Sequence, residues 1–151
     1  MTVQHDLDDI DKAIINELQV DGRSFYSRLA PLVGLSEAAV RQRVNRLQGG
    51  GVIQIVAVTD PVSLGYPIQA MLGCKVLRSI DATAEKISQI GAVTYSIITT
   101  GRFDILVEVV CRDADELISV SNQIRESGEG CDVEVMTYLR MVQQKYDWGT
   151  M

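Results

Sequence analysis

Histidine is all but missing from this 151-residue chain: His5 is the single one, near the N-terminus in a stretch expected to fray. A chain so poor in imidazole has no His-rich metal site. No nucleophile–base pair or carboxylate dyad stands out in its place. The three cysteines, Cys74, Cys111 and Cys131, are odd in number, far apart and without CxxC spacing. They indicate neither a disulfide framework nor a zinc site, and the expectation is buried, reduced thiols. No metal or organic cofactor is expected. No run of about 18 apolar residues occurs, so no membrane-spanning helix and no membrane partner are expected. Residues 1–11 are polar and acidic, without the basic start and apolar stretch of a secretory signal, and a cytoplasmic location is the expectation.

What is present is an ordinary globular composition, 46% hydrophobic and 23% charged, enough to build a core. The length fits one domain or two small ones, each small enough that a partner subunit would help it. The net charge is -6, which argues against indiscriminate DNA binding over the whole surface. Charge is unevenly placed. Residues 22–59 hold Arg23, Arg28, Arg41, Arg43 and Arg46 against the single acid Glu37, a local +4. A basic patch on an acidic chain suits a site-specific DNA binder of modest extent.

Residues 7–18 predict a helix, capped by Asp8, with Asp11 where the helix dipole favours a carboxylate and Ile10, Ile14 and Leu18 on one face. Asp21-Gly22 marks a turn. A second helix is predicted over about 27–33, with Leu29, Leu32 and Val33 inward and Gly34 ending it. Ser36 caps a third helix over about 37–48, whose buried stripe is Val40, Val44 and Leu47. Its opposite face carries Ala38, Arg41, Gln42, Asn45 and Arg46. Arginine pairs with guanine, and Gln or Asn with adenine, in the major groove of double-stranded DNA. Arg43 lies nearer the buried flank, where a phosphate or carboxylate partner suits it better than a base. Two helices joined by a short glycine turn, the second outward-facing and arginine-rich, form a helix-turn-helix. The plainer alternative is a three-helix bundle with a solvated polar face, but such faces usually mix both charges. Gly49-Gly50-Gly51 lacks the preceding strand and following GK[ST] of a phosphate loop and reads as a helix stop and hinge.

Residues 52–60 alternate enough to predict a strand, closed by Asp60-Pro61, and 61–67 reads as a linker. Beyond it the pattern predicts a strand over 68–77 and a helix over 82–90 with Ala84, Ile87 and Ile90 inward. A hairpin follows over 93–100 and 105–111. A long helix runs from Asp113 to about Ser127, with Leu117, Ile118, Val120, Ser121 and Ile124 on or near its buried side. The last strand is predicted over 131–142, with Val133, Val135, Thr137, Leu139 and Met141 on one face. The order βαββαβ is the ferredoxin-like split βαβ arrangement. The chain is therefore expected to be α+β. It comprises a winged helix-turn-helix three-helix domain over 1–52, a linking strand and hinge over 53–67, and a ferredoxin-like domain over 68–151. The sheet face not covered by helices stays partly apolar and is expected to meet a second subunit.

Four stretches together resemble the Lrp/AsnC (leucine-responsive, feast/famine) family of regulators: LDDIDKAIINELQVDGR at 7–23, LVGLSEAAVRQRVNRLQGGGVI at 32–53, DPVSLG at 60–65 and TGRFDILVEV at 100–109. The resemblance implies a homodimer whose sheets pack together, in many cases assembled into an octamer, with the strand after the helix-turn-helix helping to join subunits. It implies a free amino acid or related small metabolite as effector, bound at contacts between dimers. By position, Gly101, Arg102, Phe103 and Asp104 match the loop that contributes to that site, and Met136, Thr137 and Tyr138 complete it from a neighbouring subunit. It places DNA contacts on Ser36, Ala38, Arg41, Gln42, Asn45 and Arg46. The chain departs from the family pattern at three places. Ser24 and Phe25 stand in reversed order before the second helix, Pro31 sits inside it, and Arg102-Phe103 replaces a smaller or acidic residue followed by an aromatic. Arg102 suits either a ligand carboxylate or a surface ion pair.

Three functions remain to be weighed: a DNA-binding regulator tuned by an amino acid, an effector-binding or assembly module with a degenerate helix-turn-helix, and an enzyme. Sirohaem decarboxylases resemble this two-domain plan but use histidine near the porphyrin, and His5 is the only histidine here. A non-enzymatic regulator is the expectation.

Overall fold

The computed structural model describes residues 6–145, 149 and 150; His5 lies outside them. Contacts divide the chain into two compact units, one running to Val58 and taking in the tail from Gln143, the other Thr59–Val142.

The first unit is three helices. α1 (Asp9–Val20) begins where the Asp8 carboxylate accepts the Asp11 N–H, 2.7 Å. α2 (Tyr26–Val33) starts on Phe25, which offers no side-chain cap, and ends on Gly34 in the left-handed region, φ 68°. Pro31 is the sixth residue of α2, so its missing N–H costs the bond that Ser27 would have accepted. α3 (Glu37–Gly49) opens on Ser36, whose Oγ accepts the Ala39 N–H, 3.2 Å. Ile14, Leu29, Val40 and Val44 are fully buried between the helices. Leu32, expected inward, is exposed. Ala30 takes the buried place instead, because α2 packs on the core with the side that carries Leu29 and Ala30.

Residues 52–60 contradict the predicted strand: no ladder forms there. Val52 instead donates to Leu47 O at 2.9 Å, finishing α3. A strand exists only by exchanging backbone bonds with a neighbour, and this segment has none among the described residues. Its Val56 and Val58 stay exposed.

The second unit begins with a 3₁₀ turn (Val62–Leu64) seated on Asp60, which accepts the Ser63 N–H at 3.0 Å. Then come β1 (Ile68–Lys75), α4 (Ile80–Ser88), β2 (Val93–Ile98), β3 (Ile105–Cys111), α5 (Ala114–Glu126) and β4 (Asp132–Thr137). The sheet order is β2-β3-β1-β4, antiparallel throughout. Strict alternation in β3 puts Ile105, Val107, Val109 and Cys111 on the buried face, opposite Cys74, Leu72, Ala70 and Ile68 of β1. Ile87, Val120 and Ile124 of the helices close over that face. Ile118, expected near it, points to solvent.

β4 also ends five residues short of its predicted limit. Tyr138 N still donates to Gln69 O at 2.8 Å, but the register then brings the chain against Pro67, which has no N–H to give. Leu139, expected on the inward face, is fully exposed, and Met141 is exposed too.

The opposite sheet face carries Met71, Leu106, Ile97, Val110, Met136 and Tyr138 around Glu108. Tyr138 donates its O–H to Glu108, 2.9 Å. Burial, and then the Glu108 carboxylate, push the Tyr138 phenol up to about 12.

Candidate functional site

α3 turns its polar face outward as predicted: Ala38, Arg41, Gln42, Asn45 and Arg46 are all exposed. Their local settings differ. Arg41 reaches back to Glu37, 3.2 Å, and its guanidinium lies over the Tyr26 ring, 5.2 Å from the centroid. Arg43 pairs with Asp8 at 2.7 Å and Asp11 at 2.8 Å, so of the phosphate or carboxylate partner expected at its flank position it takes carboxylates. Those two hydrogen bonds raise the Arg43 pKa. At Asp8 the Asp11 N–H, and then Arg43, hold the carboxyl below the usual range. Asp11 is only 1% exposed and also accepts from Arg46. Arg46 was placed by sequence among free base-facing groups; here its outer end stays exposed while one Nη is tied to α1. Among the described residues, no hydrogen bond engages the side chains of Gln42 or Asn45.

The chemistry of this face is a groove reader's. It offers guanidinium forks, amide donor–acceptor pairs and a small Ala38 near the helix start. Tyr26 was not singled out by sequence, and Asp11 was read only as a carboxylate favoured by the dipole of the first helix. The signal for Asp11 was there: arginines three apart on α3 facing two acids three apart on α1.

The loop between β2 and β3 is held tightly. Asp104 N donates to Cys74 O at 2.8 Å, and Thr99 N donates to Asp104 O at 2.9 Å. The Asp104 carboxylate takes Lys75 Nζ on one oxygen and Val76 N–H on the other, both at 2.8 Å. The Lys75 bond, then the Val76 N–H, hold its pKa below the ordinary 3.8. The Phe103 ring lies on Gly73 of β1. Arg102 stacks over that ring at 5.1 Å and pairs with Glu134 of β4 at 2.7 Å, so a surface carboxylate already engages it. Within one chain the two groups of candidate effector residues are only partly apart: Met136 pairs with Met71, two residues along β1 from Gly73, but Tyr138 lies further off. Phe103 meets the sheet at Gly73, opposite Glu134, whereas Tyr138 meets it at Gln69. Four residues of strand separate them, about 13 Å.

A helix-turn-helix with an outward basic second helix, joined to a βαββαβ unit, defines a DNA-binding regulator class. Comparison with known proteins gives the family. Residues 7–48 match the AsnC-type helix-turn-helix domain. The HTH-type transcriptional regulator FL11 of Pyrococcus furiosus is 35% identical over 113 residues, 74% of this chain and 75% of that protein. The leucine response regulatory protein LrpA of Mycobacterium tuberculosis superposes with a TM-score of 0.87 at 27% identity, covering 95% of this chain and all of that one. A feast or famine regulatory protein of M. tuberculosis, complexed with L-methionine, gives 0.86 at 26% identity over 95% and 99% of the two chains. This chain belongs to the Lrp/AsnC family of helix-turn-helix transcriptional regulators. No helix among the described residues is long and apolar enough to cross a membrane.

Proposed function

We propose that the chain regulates transcription by laying α3 in the major groove of double-stranded DNA, with Arg41, Gln42, Asn45 and Arg46 toward bases or phosphates and Ser36 and Ala38 at the leading end. The observation that carries the reading is the outward, arginine- and amide-bearing face of α3 inside the stretch that matches an AsnC-type helix-turn-helix. Gln42 and Asn45 present amide groups suited to adenine, and Arg41 a fork suited to guanine. The proposed location in cells is the cytoplasm, with the DNA.

The proposed effector is an amino acid. The support is the L-methionine complex of the M. tuberculosis relative and the tightly held Gly101–Arg102–Phe103–Asp104 loop. Thr137 faces the other side of the sheet and Tyr138 meets it about 13 Å along β1 from Gly73, which suits a site that another subunit helps to complete. The proposed assembly is a homodimer through the apolar sheet face around Glu108, with octamers built from it. The unpaired 52–60 segment is proposed to find its strand partner in the second subunit.

The test is a gel shift with an operator selected from random duplex DNA. Arg41→Ala with Gln42→Ala is expected to abolish sequence-specific binding while sizing shows an unchanged oligomer; unchanged operator affinity would reject the assignment. A thermal-shift screen of the twenty amino acids checks the effector, because a ligand that binds only the folded state raises the melting temperature. No shift with any of them would reject an amino acid.

A further inference from the structure

We infer that Tyr26 is a specificity-positioning residue: from α2 it fixes the direction of the Arg41 guanidinium and so sets what that side chain reads. The inference rests on the proposed role of α3 and adds a residue outside that helix to its readout.

Arginine on an exposed helix face is costly to order, because a long side chain loses rotamer freedom on binding. Arg41 is the one residue of the outward set held from two sides. The Glu37 carboxylate lies one turn back at 3.2 Å, and the face of the Tyr26 ring lies 5.2 Å from Cζ. The two restraints are unequal in kind. Glu37 is an exposed partner on the same helix, and such pairs are weak and screened by salt. Tyr26 is partly buried against the core formed by Ile14, Leu29, Val40 and Val44, so its ring is a fixed platform belonging to a different helix. Stacking on a fixed ring orients the planar guanidinium while leaving its edge N–H groups free to pair. The same residues, with Gly22 to Ser27 and Ile55, line a shallow cleft beside the start of α3. The clamp therefore stands at the leading end of the reading helix. A residue that pre-orders one arginine improves discrimination at the base pair that arginine meets, without adding charge or a phosphate contact.

Full-length protein carrying Tyr26→Leu, which keeps an apolar side chain on the core but removes the ring, is titrated against the selected operator and against random duplex. Tyr26→Phe serves as the conservative rescue. The expected result is a loss of about two- to fivefold in the ratio of specific to non-specific affinity. The salt slope stays unchanged, and preference relaxes at the same base pairs that Arg41→Ala relaxes. Tyr26→Phe retains the parent ratio, and Tyr26→Leu adds nothing in the Arg41→Ala background. If Tyr26→Leu melts below the assay temperature, Tyr26→Met replaces it. Parallel losses of specific and non-specific binding would make Tyr26 merely structural and overturn the inference. So would an unchanged ratio in a protein whose Arg41→Ala form loses selectivity. An Arg41→Ala form with full selectivity would instead sink the underlying reading of α3.

Discussion

A Cβ added to Gly73 would fall 2.5 Å from Cδ2 of Phe103 and 2.6 Å from its Cγ, so the ring root and the strand backbone leave no room for any other residue. Glycine in the middle of a strand is otherwise a weak choice. Here it lets the loop between β2 and β3 close down on β1.

Gly73→Ala is therefore expected to cost about 1–3 kcal/mol by overpacking. Because the clash is with one ring, the cost should largely vanish in a Phe103→Ala background. Urea unfolding of the four proteins of that cycle measures it; an equal cost in both backgrounds would place the strain elsewhere.

The acid limb of stability should depend on Asp104. Its folded pKa lies below the ordinary 3.8, through Lys75 and then the Val76 N–H. A depressed carboxylate stabilises the fold above its unfolded pKa, and that contribution disappears as pH falls through the folded value. Asp104→Asn should lose stability at neutral pH and narrow its gap to the parent as pH drops below 3.8. Denaturant midpoints between pH 7 and pH 3 give the comparison.

The cysteines are expected to be silent in the native protein. All three are buried, and burial raises each thiol pKa, that of Cys74 to about 12. The thiolate is the reactive form, so little of it exists near neutrality. A disulfide reagent at pH 8 should label none of them until denaturant is added, then all three; prompt labelling of the folded protein would contradict the packing.

Ser36 separates folding from binding. Ser36→Ala removes the Oγ that accepts the Ala39 N–H and should cost about 1 kcal/mol of stability. Ser36→Asp keeps a cap of equal quality and the favourable helix-end charge, so stability should hold. The added carboxylate would face DNA phosphate, and operator affinity should fall. Melting and gel shift on both variants resolve the two effects.

Asp11 should matter beyond its own contacts. Asp11→Ala strips a shared carboxylate from Arg43 and Arg46. It is expected to destabilise the first unit by about 1–3 kcal/mol. Freed of Asp11, Arg46 can meet a phosphate, so the salt slope of non-specific DNA binding should steepen by about one ion. A slope unchanged from the parent would mean Arg46 is already on the backbone or never reaches it.

Local chemistry alone determined much of this protein. Asp8, Ser36 and Asp113 cap helices wherever they are read, Gly34 stops α2, and the alternation of Ile105 to Cys111 makes β3, because caps and periodicity act over a few residues. The outward face of α3 follows from the same periodicity, and so does the nearness of Arg43 to a carboxylate. What tertiary structure decided was pairing. Residues 52–60 have strand composition but no neighbour among the described residues, and 138–142 lose theirs at Pro67, since a strand is defined by what lies beside it. Arg46 was tied to Asp11, Arg102 to Glu134 and Arg41 to Tyr26 only when distant helices and strands met; matched spacings hint at the Asp11 pair, but which charge or ring a long side chain reaches depends on how the elements pack.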